Sequence, residues 1–156
     1  MAKHGAPQLQ VDASGLNVAI IAGSWHTPFM NGLIDGATTT LEASGATHRL
    51  ITVAGSFEIP LAAQVALANG YDAVVCLGVI IRGETPHFDF VADAVTSGLT
   101  RVQLDAGKPV GFGILTVDDD AQALDRAGLA DSNESKGQEA AEAAIQLAVT
   151  VRELSE

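Results

Sequence analysis

Four apolar runs alternate with helix-patterned stretches along this chain, and the alternation predicts its architecture. The runs are Asn17 to Ala22, Arg49 to Ala54, Ala73 to Ile81 and Val110 to Val117. The third is nine residues without a charge and rich in β-branched side chains, the pattern of a strand buried on both faces of a parallel sheet. Helices are predicted from about Phe29 to Ser44, stopped by Gly45, and from Leu61 to Ala68, closed by Asn69-Gly70. A third runs from about Phe88 to Asp105, with Val91, Val95, Leu99 and Val102 along one core-facing stripe. A short helix, Ala121 to Ala127, ends at Gly128, and an irregular polar loop, Leu129 to Ser135, follows it. The terminal helix runs from Lys136 to about Leu154, with Ala144, Leu147, Ala148 and Val151 on its apolar face. Residues 1–16 are polar, without periodicity, and read as a tail; 17–156 read as a single α/β domain. Strands alternating with helices form a four-stranded parallel sheet covered on both faces, a three-layer α/β/α arrangement.

Candidate chemistry gathers where these strands end. Open α/β sheets bind ligands outside the carboxyl ends of their strands. After the third strand, Arg82, Glu84 and His87 arrive within six residues, threaded with Gly83, Thr85 and Pro86. Gly83 lets backbone approach a ligand, and N–H groups at the following helix start suit an anion such as phosphate. His87 is the side chain best placed to exchange protons near neutral pH. The plainer alternative is a solvated Arg82–Glu84 pair and a His87 that merely opens a helix. Trp25 follows the first strand in a turn, Gly23 to Pro28, either as core or as a flat wall for a heterocycle. Glu58 follows the second strand, as a favourable charge at a helix start or as an acceptor for substrate hydroxyls. Asp118-Asp119-Asp120 reads as a solvated helix start in preference to a metal site.

Composition narrows the classes. The chain has 156 residues, enough for one domain with a proper core, and only 4% aromatics, so that core is Ala, Val, Leu and Ile. A net charge of −11 with eight Lys and Arg argues against nucleic acid and anionic membrane surfaces as partners. A bound phosphate therefore needs local basic help. The single Cys76 excludes an internal disulfide, and no apolar h-region follows the N-terminus, so a reducing, cytoplasmic setting is expected. No run approaches the roughly 18 apolar residues that span a bilayer.

The motif Arg82-Gly83-Glu84-Thr85-Pro86-His87-Phe88-Asp89 and the segment Gly55-Ser56-Phe57-Glu58-Ile59-Pro60 resemble lumazine synthase, on a flavodoxin-like fold. The likeness continues through Pro109 to Thr116, Asp125 to Gly128 and Lys136 to Ala141. It implies condensation of 5-amino-6-(D-ribitylamino)uracil with 3,4-dihydroxy-2-butanone 4-phosphate, without cofactor or metal. Under it Trp25 stacks on the pyrimidine, where many members carry Phe. Ser56, Phe57 and Glu58 hold the ribityl chain, and Val79 and Ile80 meet the uracil edge through backbone groups. Gly83, Glu84 and Thr85 cradle the phosphate, and His87 shuttles protons. Phe112, Arg126 and Lys136 come from the neighbouring subunit of a homopentamer, Arg126 toward the phosphate. Riboflavin synthase is a candidate partner. His26 replaces the Asn of many members, and the loop Gly128 to Ser135 is longer than in members that build sixty-subunit shells. Alternatives from other classes are a non-catalytic flavin- or phosphate-binding module, a shell-forming carrier, and a receiver-like signalling domain.

Overall fold

The computed structural model describes residues 10–156. Four parallel strands, β1 (Asn17–Gly23), β2 (Thr47–Val53), β3 (Ala73–Ile81) and β4 (Val110–Val117), stand in the order β2-β1-β3-β4. The helices are α1 (Thr27–Ala43), α2 (Ile59–Ala68), α3 (His87–Ala106), α4 (Asp120–Arg126) and α5 (Lys136–Leu154). The strand period of two divides the core. Val18, Ile20, Val75, Leu77 and Val79 face α1 and α5, with Ala123 of α4 in the same cluster. Ala19, Ile21, Val74, Cys76 and Ile80 face α2 and α3 on the other side. The protein is therefore a three-layer α/β/α domain. Central β1 and β3 are buried along nearly their whole length, which their uninterrupted apolar runs require.

Two helices begin earlier than the residue pattern predicts. Pro28 and Pro60 are not loop residues but lie in the first turns of α1 and α2. Proline lacks only an N–H that goes unused there, and its φ suits the helix. Before α2, Ser56–Glu58 forms one 3-10 turn.

The apolar face of α5 is also not the predicted one. Ala144 and Ala148 are buried, but Leu147 is 36% exposed and Val151 is only partly covered. The buried face is Gly137, Ala140, Ala141, Ala144, Ile145 and Ala148. Close backbone approach selects these small residues: a Cβ on Gly137 would lie 2.0 Å from the Leu33 carbonyl oxygen of α1, and one on Gly111 2.4 Å from that of Ala140. On α3, Val95, Leu99 and Val102 are buried, whereas Val91 is half-buried near the carboxyl edge of the sheet.

The stretch expected as a tail is tied down at its end. Ala13 and Leu16 are buried, Ala13 N–H donates to the Ser44 carbonyl at 2.8 Å, and Thr47 N–H donates to that of Leu16 at 2.9 Å. Residues 1–9 of that stretch lie outside the described residues. Among those described, no helix is long and apolar enough to cross a membrane.

Candidate active site

From β1 the chain leaves into α1 on one face, and from β3 into α3 on the other. A crevice opens between such neighbours at their carboxyl ends. Here it is a cleft of about 370 Å³ walled by the segments that follow β1, β2 and β3.

The segment after β1 contributes Trp25 and His26. His26 is the one non-glycine described residue with positive φ, at φ 60 and ψ 53, and its carbonyl accepts the first hydrogen bonds of α1. This left-handed residue turns the chain sharply between strand and helix. Trp25 is 69% exposed, so it is not core. Its indole rests against Gly55, where a Cβ would meet the ring at 3.2 Å. Ser24 Oγ donates to the Val53 carbonyl at 2.6 Å, tying this turn to the end of β2.

After β2, Gly55 N–H donates to Glu58 Oε2 at 2.9 Å. That bond fixes the carboxylate across the 3-10 turn, at the cleft wall, and leaves its other oxygen without a hydrogen bond among the described residues. Phe57 is 65% exposed at the cleft wall. Ser56 packs over Gly78 of β3, where a Cβ would lie 2.5 Å from its hydroxyl. The glycine in that otherwise bulky strand makes room for the loop above it.

The third wall is the end of β3, with Val79, Ile80 and Ile81, then Gly83, Thr85 and His87. His87 is the first residue of α3, exposed, its N–H 3.4 Å from Thr85 Oγ1. At that helix start Asp89 and Phe90 N–H donate to the Pro86 carbonyl. Among the described residues, Phe88 N–H and those of Gly83, Glu84 and Thr85 are the ones without a partner that suit an anion. Phe88 and Val91 complete the wall beneath His87.

Nine of the residues singled out from the sequence thus line one cleft: Trp25, Ser56, Phe57, Glu58, Val79, Ile80, Gly83, Thr85 and His87. Glu84 is exposed beside it and does not line it. Phe112, Arg126 and Lys136 also stand outside. Phe112 is 46% exposed on β4. Arg126 donates to the Gln122 carbonyl at 2.9 Å and lies 3.9 Å from Glu134. Lys136 donates to Glu139 at 2.8 Å and lies 3.2 Å from Glu134 Oε1, an ion pair whose angles fall short of a hydrogen bond. Burial works to lower the Lys136 pKa, but its two carboxylate partners outweigh that and hold it above the ordinary lysine value.

Sequence reasoning missed His26, Gly55, Ile81, Phe88 and Val91 as lining residues. A Gly-Ser-aromatic-His-Thr-Pro turn was a signal for His26, but Val91 carries a helical period that core and cleft positions share. Asp119 is the N-cap of α4, accepting from Gln122 N–H at 2.9 Å, and among the described residues no three His, Cys, Asp or Glu side chains gather as a metal site.

Residues 15–152 match the family model described as 6,7-dimethyl-8-ribityllumazine synthase. Proteins of that name from Leifsonia xyli subsp. xyli and Clavibacter sepedonicus are 58% and 56% identical, over 99% of both chains and 97% of both chains respectively. One from Streptomyces avermitilis is 54% identical, over 100% of this chain and 98% of its own. With a parallel sheet and a cleft at its topological switch point behind it, this match places the chain in the 6,7-dimethyl-8-ribityllumazine synthase family, enzymes of riboflavin biosynthesis.

Proposed function

We propose that the protein condenses 5-amino-6-(D-ribitylamino)uracil with 3,4-dihydroxy-2-butanone 4-phosphate to 6,7-dimethyl-8-ribityllumazine, phosphate and water. The observation that carries this reading is the single cleft in which an exposed indole, a fixed carboxylate, a glycine-containing helix start and His87 meet. Trp25 stacks on the pyrimidine, Ser56, Phe57 and Glu58 hold the ribityl chain, and Val79 and Ile80 meet the uracil edge. Gly83 and Thr85 cradle the phosphate, with Glu84 contributing its backbone. The pyrimidine's amine attacks the ketone and water leaves as the imine forms. Phosphate then departs as the adduct enolises, and ring closure releases a second water. His87 moves the protons, a contribution of roughly 10²–10⁴-fold. Holding two substrates in register supplies up to about 7–11 kcal/mol more.

The same reading makes the assembly a homopentamer in which Phe112, Arg126 and Lys136 of one subunit complete the neighbour's cleft. Their position outside their own cleft supports it. It also places the enzyme in the cytoplasm, with small-molecule substrates and riboflavin synthase as candidate partner. The test is turnover: purified protein given both substrates should release one phosphate for each lumazine formed, followed by absorbance and a phosphate assay. Tight binding of both without product would make it a binding module instead.

A further inference from the structure

The loop between β3 and α3 has little to hold it. Residues 82–87 are exposed, and a Cβ on Gly83 would meet nothing within 4 Å. Among the described residues, no backbone–backbone hydrogen bond involves Gly83, Glu84 or Thr85, and the Thr85 hydroxyl makes only a long contact, 3.4 Å, with the His87 N–H. Yet this loop must keep its shape if it is to present N–H groups to an anion. One side chain reaches around it. Arg82 is anchored by its own N–H to the Val117 carbonyl at 2.9 Å. Its Nε donates to Asp118 Oδ1 at 3.0 Å and its Nη1 to Asp89 Oδ1 at 3.4 Å, while its Cζ lies 4.3 Å from the centre of the Phe88 ring.

We propose that Arg82 is a positioning residue, a clamp that fixes loop 83–86 by joining the ends of β3 and β4 to the first turn of α3. The inference rests on the reading of that loop as the phosphate cradle and of His87 as proton shuttle. A guanidinium bonds two carboxylates through different nitrogens of a rigid planar fork while its flat face lies on a ring; an ammonium group, a point charge on a flexible stem, fixes no such geometry. With both carboxylates on it, Arg82 is not the phosphate's cation, and the anion relies on helix N–H groups and on Arg126 of the neighbouring subunit. Exposed ion pairs contribute little stability singly. The clamp acts through geometry, where a misplacement near 1 Å costs about 10²-fold in rate.

Hydrogen–deuterium exchange and kinetics on Arg82→Ala, Arg82→Lys and Asp118→Asn test this. The peptide 82–90 should exchange faster in Arg82→Ala, with 73–81 unchanged, and inorganic phosphate should protect 82–90 in the wild type alone. Arg82→Ala should raise the KM for the butanone phosphate and lower kcat, each about tenfold, with the pyrimidine KM within about twofold. Arg82→Lys should rescue only a small part, and Asp118→Asn should move the same quantities more weakly. Unchanged exchange, equal shifts in both KM values, or full rescue by lysine would each overturn the clamp. If the wild type makes no lumazine, the catalytic reading fails, and the exchange and phosphate-protection results still decide the clamp. Normal turnover with unchanged exchange removes the clamp and leaves that reading standing.

Discussion

His87 follows Pro86 at the first position of α3 and lines the cleft. If it shuttles protons, His87→Ala should lower turnover roughly 10–10³-fold while the pyrimidine still binds. Trp25 is the only Trp, so quenching of its fluorescence reads that binding directly. Wild-type turnover in the folded variant would remove His87 from the chemistry. Trp25, Glu58 and His87 were visible in the sequence because each is chemically distinct and follows a predicted strand. His26 stood out only through its turn, its left-handed backbone not being legible. Val91 was not visible, since a valine that leaves the core for the cleft edge has no compositional mark. Cys76 is fully buried, and burial pushes its thiol pKa up, so it is packing and not chemistry.

At the scale of elements, glycine decides how closely α1 approaches α5 and the segment that joins α4 to it. A Cβ at Gly32 would lie 2.3 Å from the Ala127 carbonyl oxygen, and one at Gly36 2.8 Å from Ser135 Oγ. A Cβ on Gly137 would lie 2.0 Å from α1 backbone, which cannot swing aside as a side chain does. Gly137→Ala should therefore cost about 1–3 kcal/mol by overpacking. That corresponds to a thermal midpoint lower by roughly 2–12 °C for a chain of this size. Gly83→Ala, with nothing within 4 Å, is the comparison and should melt as the wild type does. Equal midpoints for both variants would show that the α1–α5 contact yields. A hydrophobicity pattern ranks Leu147 above Gly137 as a core residue; contact geometry reverses that order.

For the whole molecule, the exposed apolar side chains are the conspicuous feature. Phe57, Leu61, Phe90 and Leu104 are each at least 65% exposed in the single chain. A closed ring with heterologous contacts covers such surfaces, and light scattering should give a mass near five subunits. The loop 129–135 is expected to disfavour pentamer–pentamer contact, partly by its bulk and partly through the like-charge cost of packing many copies of a −11 chain. A megadalton shell would contradict that. The loop's own share of that charge is small. Glu134 is 8% exposed between Arg126 and Lys136, which leaves Asp131 as the loop's exposed acid. If sites are shared, impaired His87→Ala and Arg126→Ala chains refolded together should show more activity than either alone, because some interfaces then pair an intact His87 with an intact Arg126. No recovery in mixed rings would place each site within one chain.

The order of elements, the buried central strands and the strand-end position of the chemistry followed from the sequence itself. Periodicity and turn residues are local properties, and a parallel sheet converts them into a layered fold with few choices. The motif around His87 carried the family as well. Only the tertiary structure decided that Gly78 makes room for Ser56, that Gly55 receives the Trp25 ring, and that Arg82 turns its charge toward Asp118 and Asp89. Those are distances between segments far apart in the chain or across a loop, set by how backbones approach one another. Residue type alone does not encode such distances, because the same glycine or arginine fits many partners until the sheet brings one of them near.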